Sequence, residues 1–199
     1  MWKSFKTFLN FIYITIFSIL TTSCHLSNQK TIVVFVKKVI DGDTIQIINE
    51  NNELEIIRLY GIDTPETLKL RVNEDMIAKY ENFYAQLAKK YLKEQIESSK
   101  NQIKISRITK DKFHRTVALI FKNNESLNLL MVKKGYARVA FIQAQNPKKP
   151  FYTSTNEQYE FYKELINIEL KAKEIQKGIW THKETDVFFL NSYNLANAI

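Results

Sequence analysis

The sequence predicts an α+β domain of five β-strands and three helices. Three observations carry this. Five short runs are rich in β-branched and aromatic residues and are bounded by turn residues. Three longer stretches place apolar residues at helical spacing or end on a capping glycine. The order is three strands, a helix, two strands and two helices, with no internal repeat.

Thr31 to Val39, Thr-Ile-Val-Val-Phe-Val-Lys-Lys-Val, is the first strand. Asp41-Gly42-Asp43-Thr44 turns the chain and Ile45 to Ile48 resumes the strand pattern, giving a hairpin whose turn carries two acids. A second turn at Asn49 to Asn52 leads to a third strand, Glu53 to Tyr60, which runs into the bend at Gly61 and Pro65. Leu68 to Asn73 reads as an exposed loop.

From Glu74 to about Ile96, Ile77, Tyr80, Phe83, Tyr84, Leu87, Ala88, Tyr91 and Leu92 recur at helical spacing. Strands follow at Ile103 to Thr109 and Thr116 to Phe121, around the basic turn Lys110 to Arg115. Asn124 to Lys134 reads as the second helix, capped by Gly135. After a short apolar run, Tyr136 to Ile142, and a proline-containing basic loop, Asn156 to Lys177 reads as the third helix, capped by Gly178. This order fits a five-stranded β-barrel of the oligonucleotide-binding type (OB-fold), with a helix between its third and fourth strands. An open sheet of another topology is the alternative.

The formal charge is +8, and the first 23 residues contribute two lysines and no acid, so the remainder stays basic at +6. A basic balance favours polyanionic partners, nucleic acid or an acidic membrane face. Lys3 and Lys6 precede an apolar run from Phe8 to Leu20 and the small residues Thr21, Thr22 and Ser23. That is a signal-peptide pattern, too short for a comfortable membrane span. Cys24 is the single cysteine, so an intrachain disulfide is excluded. Leu20-Thr21-Thr22-Ser23-Cys24 resembles the cleavage box of bacterial lipoproteins, which makes Cys24 the expected lipidation site and mature N-terminus. A secreted protein cleaved near Ser23 is the alternative. The expected organisation is a signal peptide over 1–23, a tether over 24–30, the domain over 31–181 and an extension over 182–199.

Two turns gather acids beside a cation. Asp43 lies in the first hairpin turn; Asp63 and Glu66 follow the third strand, and Arg58 stands in that strand's otherwise apolar run. Two carboxylates could present oxygens to a hard cation, which prefers oxygen ligands and keeps some water. A basic side chain in an apolar strand is either paired with an acid or offered to phosphate through its donor fork. Asp-Gly and Asp-Thr-Pro-Glu are also ordinary turn sequences. Arg115 could likewise be an exposed turn cation, and no second histidine stands at metal-ligand spacing from His114. The G-x-S-x-G elbow, the phosphate-binding glycine loop and H-E-x-x-H are all absent.

Asp41-Gly42-Asp43-Thr44, Arg58-Leu59-Tyr60-Gly61-Ile62-Asp63-Thr64-Pro65-Glu66-Thr67 and Asp111-Lys112-Phe113-His114-Arg115 resemble, in order and spacing, the three signature blocks of the staphylococcal-nuclease-like (thermonuclease) family. Gly135-Tyr136-Ala137-Arg138-Val139-Ala140 and Gly178-Ile179-Trp180 are similar to its later landmarks. The resemblance implies an OB-type barrel with three helices and a calcium-dependent phosphodiesterase acting on DNA and RNA and leaving 3′-phosphate ends. It implies that Asp43 and Asp63 bind Ca2+ through carboxylates and Thr64 through its carbonyl, with Asp41 in an outer shell. Glu66 would orient or deprotonate the attacking water, and Arg58 and Arg115 would hold the phosphate.

Lys112, Phe113 and Phe141 become expected substrate contacts. Phe113 and Phe141 stand where the family usually has tyrosines, and His114 where it has a glycine; the phenylalanines keep base stacking and lose a hydroxyl. The expected substrate is single-stranded nucleic acid and the expected state a monomer, exported and held at a membrane through Cys24 or secreted. The competing reading is a non-catalytic nucleic-acid-binding lipoprotein of the same fold, which would be expected to lack some of these acids or arginines.

Overall fold

The computed structural model describes residues 30–68 and 77–189. The signal-type segment, Cys24, most of the loop after Leu68 and residues 190–199 lie outside the described residues. Strands β1 (Ile32–Val39), β2 (Thr44–Ile48) and β3 (Leu54–Leu59) form an antiparallel meander. A two-residue strand β4 (Ile62–Asp63) follows, then helix α1 (Glu81–Glu97), β5 (Gln102–Lys110) and β6 (Thr116–Lys122). The chain continues through β7 (Glu125–Ser126), α2 (Leu127–Lys133), β8 (Arg138–Val139) and α3 (Asn156–Glu174), and ends in two 3-10 turns, Gly178–Thr181 and Glu184–Asp186.

β1 pairs with β2 on one side and β5 on the other, and β5 pairs with β6. The parallel pairing of β3 with β6, Arg58 opposite Val117, then closes a five-stranded barrel. Closure leaves β1, β2, β3, β5 and β6 without a free edge.

Alternation along β1 buries Val34 and Val36 and exposes Val33 and Phe35. A register shift between Val36 and Lys38 then lets Lys37 and Lys38 both stay outside while Val39 returns to the core. Ile45, Ile47, Ile57, Leu59, Ile105 and Ile120 fill the barrel. In α1, Ala85, Ala88, Leu92 and Ile96 recur on the buried face.

Helix α2 is joined to the barrel by Asn128, which is fully buried. Its Nδ2 donates to the carbonyls of Tyr60 at 2.9 Å and Ala118 at 3.3 Å, and its Oδ1 accepts the amide of Ile120 at 2.9 Å. A single amide side chain thus satisfies three backbone groups where the third strand leaves the barrel.

Three boundaries differ from the sequence reading. Residues 125–126 form a strand paired with Lys122 and Phe121, so α2 begins at Leu127, where Ser126 caps it by accepting the amide of Leu129 at 3.3 Å. Helix α1 starts at Glu81, since residues 77–80 form a bend and turn. Helix α3 ends at Glu174, and the backbone of Gln176 is already left-handed (φ +48°) before Gly178 (φ +60°) opens the first 3-10 turn. Among the described residues no helix is long and apolar enough to cross a membrane.

Candidate active site

The β1–β2 turn and the end of β3 meet at one side of the barrel. Asp43 is buried; its Oδ1 accepts the Thr44 hydroxyl at 3.0 Å and is ion-paired with Nη1 of Arg58. Its Oδ2 accepts the backbone amide of Thr64 at 2.8 Å. Arg58 extends Nη2 to Oδ1 of Asp63 at 2.9 Å and to the carbonyl of Ile62 at 3.3 Å. Asp41 accepts the amide of Asp43 at 3.3 Å and so shapes the turn that presents it.

The bend between β3 and β4 requires Gly61, whose φ of +78° is left-handed. β4 then pairs with β8, placing Asp63 directly opposite Arg138. Nε and Nη2 of Arg138 hold Oδ2 of Asp63 at 3.1 and 2.9 Å, and Nη1 reaches Oε1 of Glu184 at 2.8 Å. Two buried acids and two buried arginines therefore form one network. Pairing of this kind offsets a desolvation cost that either charge alone would leave uncompensated. Burial pushes the Arg58 guanidinium below its usual pKa, opposed by Asp63, Asp41 and Glu66, while Arg115 adds to the lowering. The group stays charged at any working pH.

Glu66 is exposed and Arg115 half-buried, and both lie within electrostatic reach of Arg58. Arg115 comes from the β5–β6 turn, which Asp111 organises. The Asp111 carboxylate accepts the amides of Phe113 and Arg115, each at 2.9 Å, and binds Nε of Arg115 at 2.6 Å. Burial raises the pKa of Asp111, but the Arg115 side-chain and backbone bonds outweigh it and hold the group below the usual carboxylate range. His114 in this turn is left-handed (φ +61°), the conformation that glycine adopts most easily.

Phe113 is exposed, with the Lys112 ammonium and the Arg115 guanidinium each 5.4 Å from its ring centre. Phe141 stands at the other side, 5.5 Å beneath Arg58 and edge-on to Phe151 at 5.3 Å. Its left-handed backbone (φ +57°) costs about 1–2 kcal/mol for a residue with a Cβ. A cleft of about 560 Å³ between the β2–β3 turn and the β5–β6 turn is lined by Arg115, Phe113, Glu55 and Arg107; the acids Asp43 and Asp63 are packed outside it.

The structure thus gathers Asp41, Asp43, Arg58, Asp63, Thr64 and Phe141 at one place, with Glu66 and Arg115 beside them. Lys112 and Phe113 sit on the Arg115 turn, and Cys24 lies outside the described residues. Arg138 and Asp111 carry parts of this geometry that the sequence reading did not assign. For Arg138 a signal was available: like Arg58, it interrupts an apolar run.

The staphylococcal nuclease homologue family matches residues 56–182, which include Arg58, Asp63, Glu66 and Arg115. The chain belongs to the staphylococcal nuclease family. It is 33% identical over 148 residues to a thermonuclease of Staphylococcus intermedius, covering 73% of this chain and 74% of that protein. It is also 33% identical over 126 residues to the endonuclease YncB of Bacillus subtilis, covering 62% of this chain and 56% of that protein. An uncharacterized endonuclease of Haemophilus influenzae is 27% identical over 142 residues, covering 71% and 67%. The staphylococcal nuclease barrel here is accordingly that of a nuclease, a hydrolase whose substrate is nucleic acid.

Nucleases of this family are generally metal-dependent. Among the described residues no group of three or more His, Cys, Asp or Glu side chains forms a metal cage. The donors at hand are the carboxylates of Asp43 and Asp63 with Asp41 nearby, all oxygen. That chemistry fits a hard divalent cation that retains several waters, and not a thiolate- or imidazole-bound metal.

Proposed function

We propose that this protein is a calcium-dependent nuclease that cleaves single-stranded DNA and RNA at the phosphorus–5′-oxygen bond, leaving 3′-phosphate ends. The observation that carries the reading is the Arg58 fork lying between the Asp43 and Asp63 carboxylates, with Glu66 and Arg115 at its margin. Asp43 and Asp63 would hold Ca2+ through carboxylates and Thr64 through its carbonyl, with Asp41 supporting the turn. When bound, the cation would act as a Lewis acid and offset the negative charge of the phosphodiester.

The chain's own residues do the rest. A guanidinium has five N–H donors, so Arg58 can keep its acid partners and still offer hydrogen bonds to a phosphate oxygen. Arg115, aimed by Asp111, approaches from the opposite turn, and the two cations stabilise the charge that builds on the equatorial oxygens. Glu66 orients a water and takes its proton as the new oxygen–phosphorus bond forms. The bond to the 5′ oxygen breaks, giving a 3′-phosphate and a 5′-hydroxyl. Phe113 and Phe141 are placed for stacking on bases, which is tolerant of sequence, and Lys112 for a backbone phosphate.

The N-terminal signal pattern supports export, with Cys24 lipidated and the domain held at a membrane surface. Replacing Cys24 with Ala should release the protein into the soluble fraction; continued retention in membranes would contradict lipid anchoring.

The test of the activity is digestion of a labelled single-stranded oligonucleotide with calcium, with other divalent ions and with chelator, followed by analysis of the product ends. The expected result is cleavage with calcium, none with chelator, and ends that become substrates for a kinase only at the 5′ hydroxyl. Products carrying 5′-phosphate, or undiminished cleavage in chelator, would overturn the calcium and bond-cleavage assignments.

A further inference from the structure

The family match ends at residue 182, and the chain then adds a segment that packs behind the site. Glu184 accepts Nη1 of Arg138 at 2.8 Å, and the Phe188 ring covers the same guanidinium at 3.8 Å. The other edge of Arg138 carries both bonds to Oδ2 of Asp63. A guanidinium held on two edges and one face has little rotational freedom, and the carboxylate it grips inherits that restriction.

A second line of bonds runs from the same segment to Glu66. Glu81, buried at the first turn of α1, accepts the amide of Ala78 at 2.9 Å; burial raises the pKa of its carboxyl, and the backbones of Ala78, Glu66 and Phe189, which face that carboxylate, oppose the rise. The amide of Tyr80 donates to the carbonyl of Asp186 at 2.7 Å. Val187 and Phe188 are buried with Tyr84 and Ile179 in a small apolar core beside α1. Both ends of the Asp63–Glu66 stretch are thus tied to one segment, Asp63 through Arg138 and Glu66 through Glu81.

We propose that residues 184–189 are a brace that sets the aim of Asp63 and Glu66, with Arg138 and Glu81 as its positioning residues. This rests on the nuclease reading of that stretch only for its catalytic consequence. The brace itself is a statement about backbone and carboxylate order.

The experiment compares the full chain with Arg138→Met, Arg138→Lys and Glu184→Gln, measuring kcat and KM on a single-stranded oligonucleotide and hydrogen exchange of the amides of Asp63, Thr64, Glu66 and Thr67. Arg138→Met should lower kcat by about 10–100-fold with KM within about twofold, and Arg138→Lys should recover part of that loss. Glu184→Gln, altered on its exposed side, should fold normally and lower kcat by about threefold to tenfold. In both Arg138→Met and Glu184→Gln the amides of Asp63, Thr64, Glu66 and Thr67 should exchange at least about tenfold faster. Exchange unchanged in Glu184→Gln and in any folded Arg138 variant overturns the brace. Losses confined to KM, with kcat intact, overturn it as well. If the full chain cleaves nothing, the nuclease reading fails, and the exchange rates alone decide the brace.

Discussion

The carboxylate of Asp43 accepts the backbone amide of Thr64 at 2.8 Å across 21 residues of sequence. That bond makes one unit of the β1–β2 turn and the segment after β4. With Arg58 bridging Asp43 and Asp63, neither acid can move without the other. Preorganisation of this kind places charge where a transition state needs it without reorganisation at the moment of reaction.

Gly42 should tolerate no side chain. A Cβ there would lie 2.6 Å from Cβ of Ala88 in α1 and 2.8 Å from Oγ1 of Thr64. Gly42→Ala should destabilise the fold by about 1–3 kcal/mol through overpacking. Displacement of the neighbouring Asp43 should lower cleavage by about a hundredfold. Urea denaturation and initial-rate assays on the same preparation check both, and wild-type values in each would show that α1 yields freely.

Asn128→Ala should destabilise without disarming the site. Removing the side chain takes the Asn128 bond from the carbonyl of Tyr60 and the amide of Ile120, and a second bond from the carbonyl of Ala118, which keeps the Tyr60 amide at 2.9 Å. With the loss shared among three groups and any entering water, the expected cost is about 2–4 kcal/mol. Chemical denaturation measures it. Specific activity well below the unfolding midpoint should stay near that of the unaltered protein.

Acid should weaken the protein partly through Glu55. Hydrogen bonds from Arg107, against the opposing effect of burial and with help from the Thr116 hydroxyl, hold the Glu55 carboxyl below its ordinary value of 4.5. Because the folded pKa is depressed, the stabilisation is present above the unfolded value and is lost as pH falls through the folded one. The pair is partly exposed, so the amount is under about 1 kcal/mol. Glu55→Gln should flatten the stability profile between about pH 5 and pH 3; parallel profiles for the two proteins would contradict this.

Much of the barrel was legible because its strands carry alternating apolar residues and its turns carry glycine, asparagine and aspartate. The closing pair, β3 with β6, joins Ile57 to Thr116 across the chain, and no local pattern announces a parallel contact of that span. The misread start of α2 has a local cause. Asn124-Glu125-Ser126 suits a helix start as well as a tight hairpin, and pairing with Phe121 and Lys122 at the end of β6 decided for the hairpin. Asp43, Arg58 and Asp63 stood out as charges at turns or in an apolar strand. Glu81 did not, because a helix read from Glu74 places it in the helix interior as an ordinary charged residue, and its approach to the Glu66 backbone depends on how α1 packs. The role of Gly42 was half visible: its turn was readable, its contact with Ala88 was not.

The most direct test of the site is steady-state cleavage of a single-stranded oligonucleotide by the full chain and by Arg58→Lys, with the fold of each checked by circular dichroism. Lysine keeps the charge but cannot bridge Asp43 and Asp63 while also offering donors to phosphate. The predicted result is a fall in kcat of about a hundredfold or more in a folded protein. Cleavage by Arg58→Lys at the rate of the unaltered chain would contradict the placement of catalysis at this network.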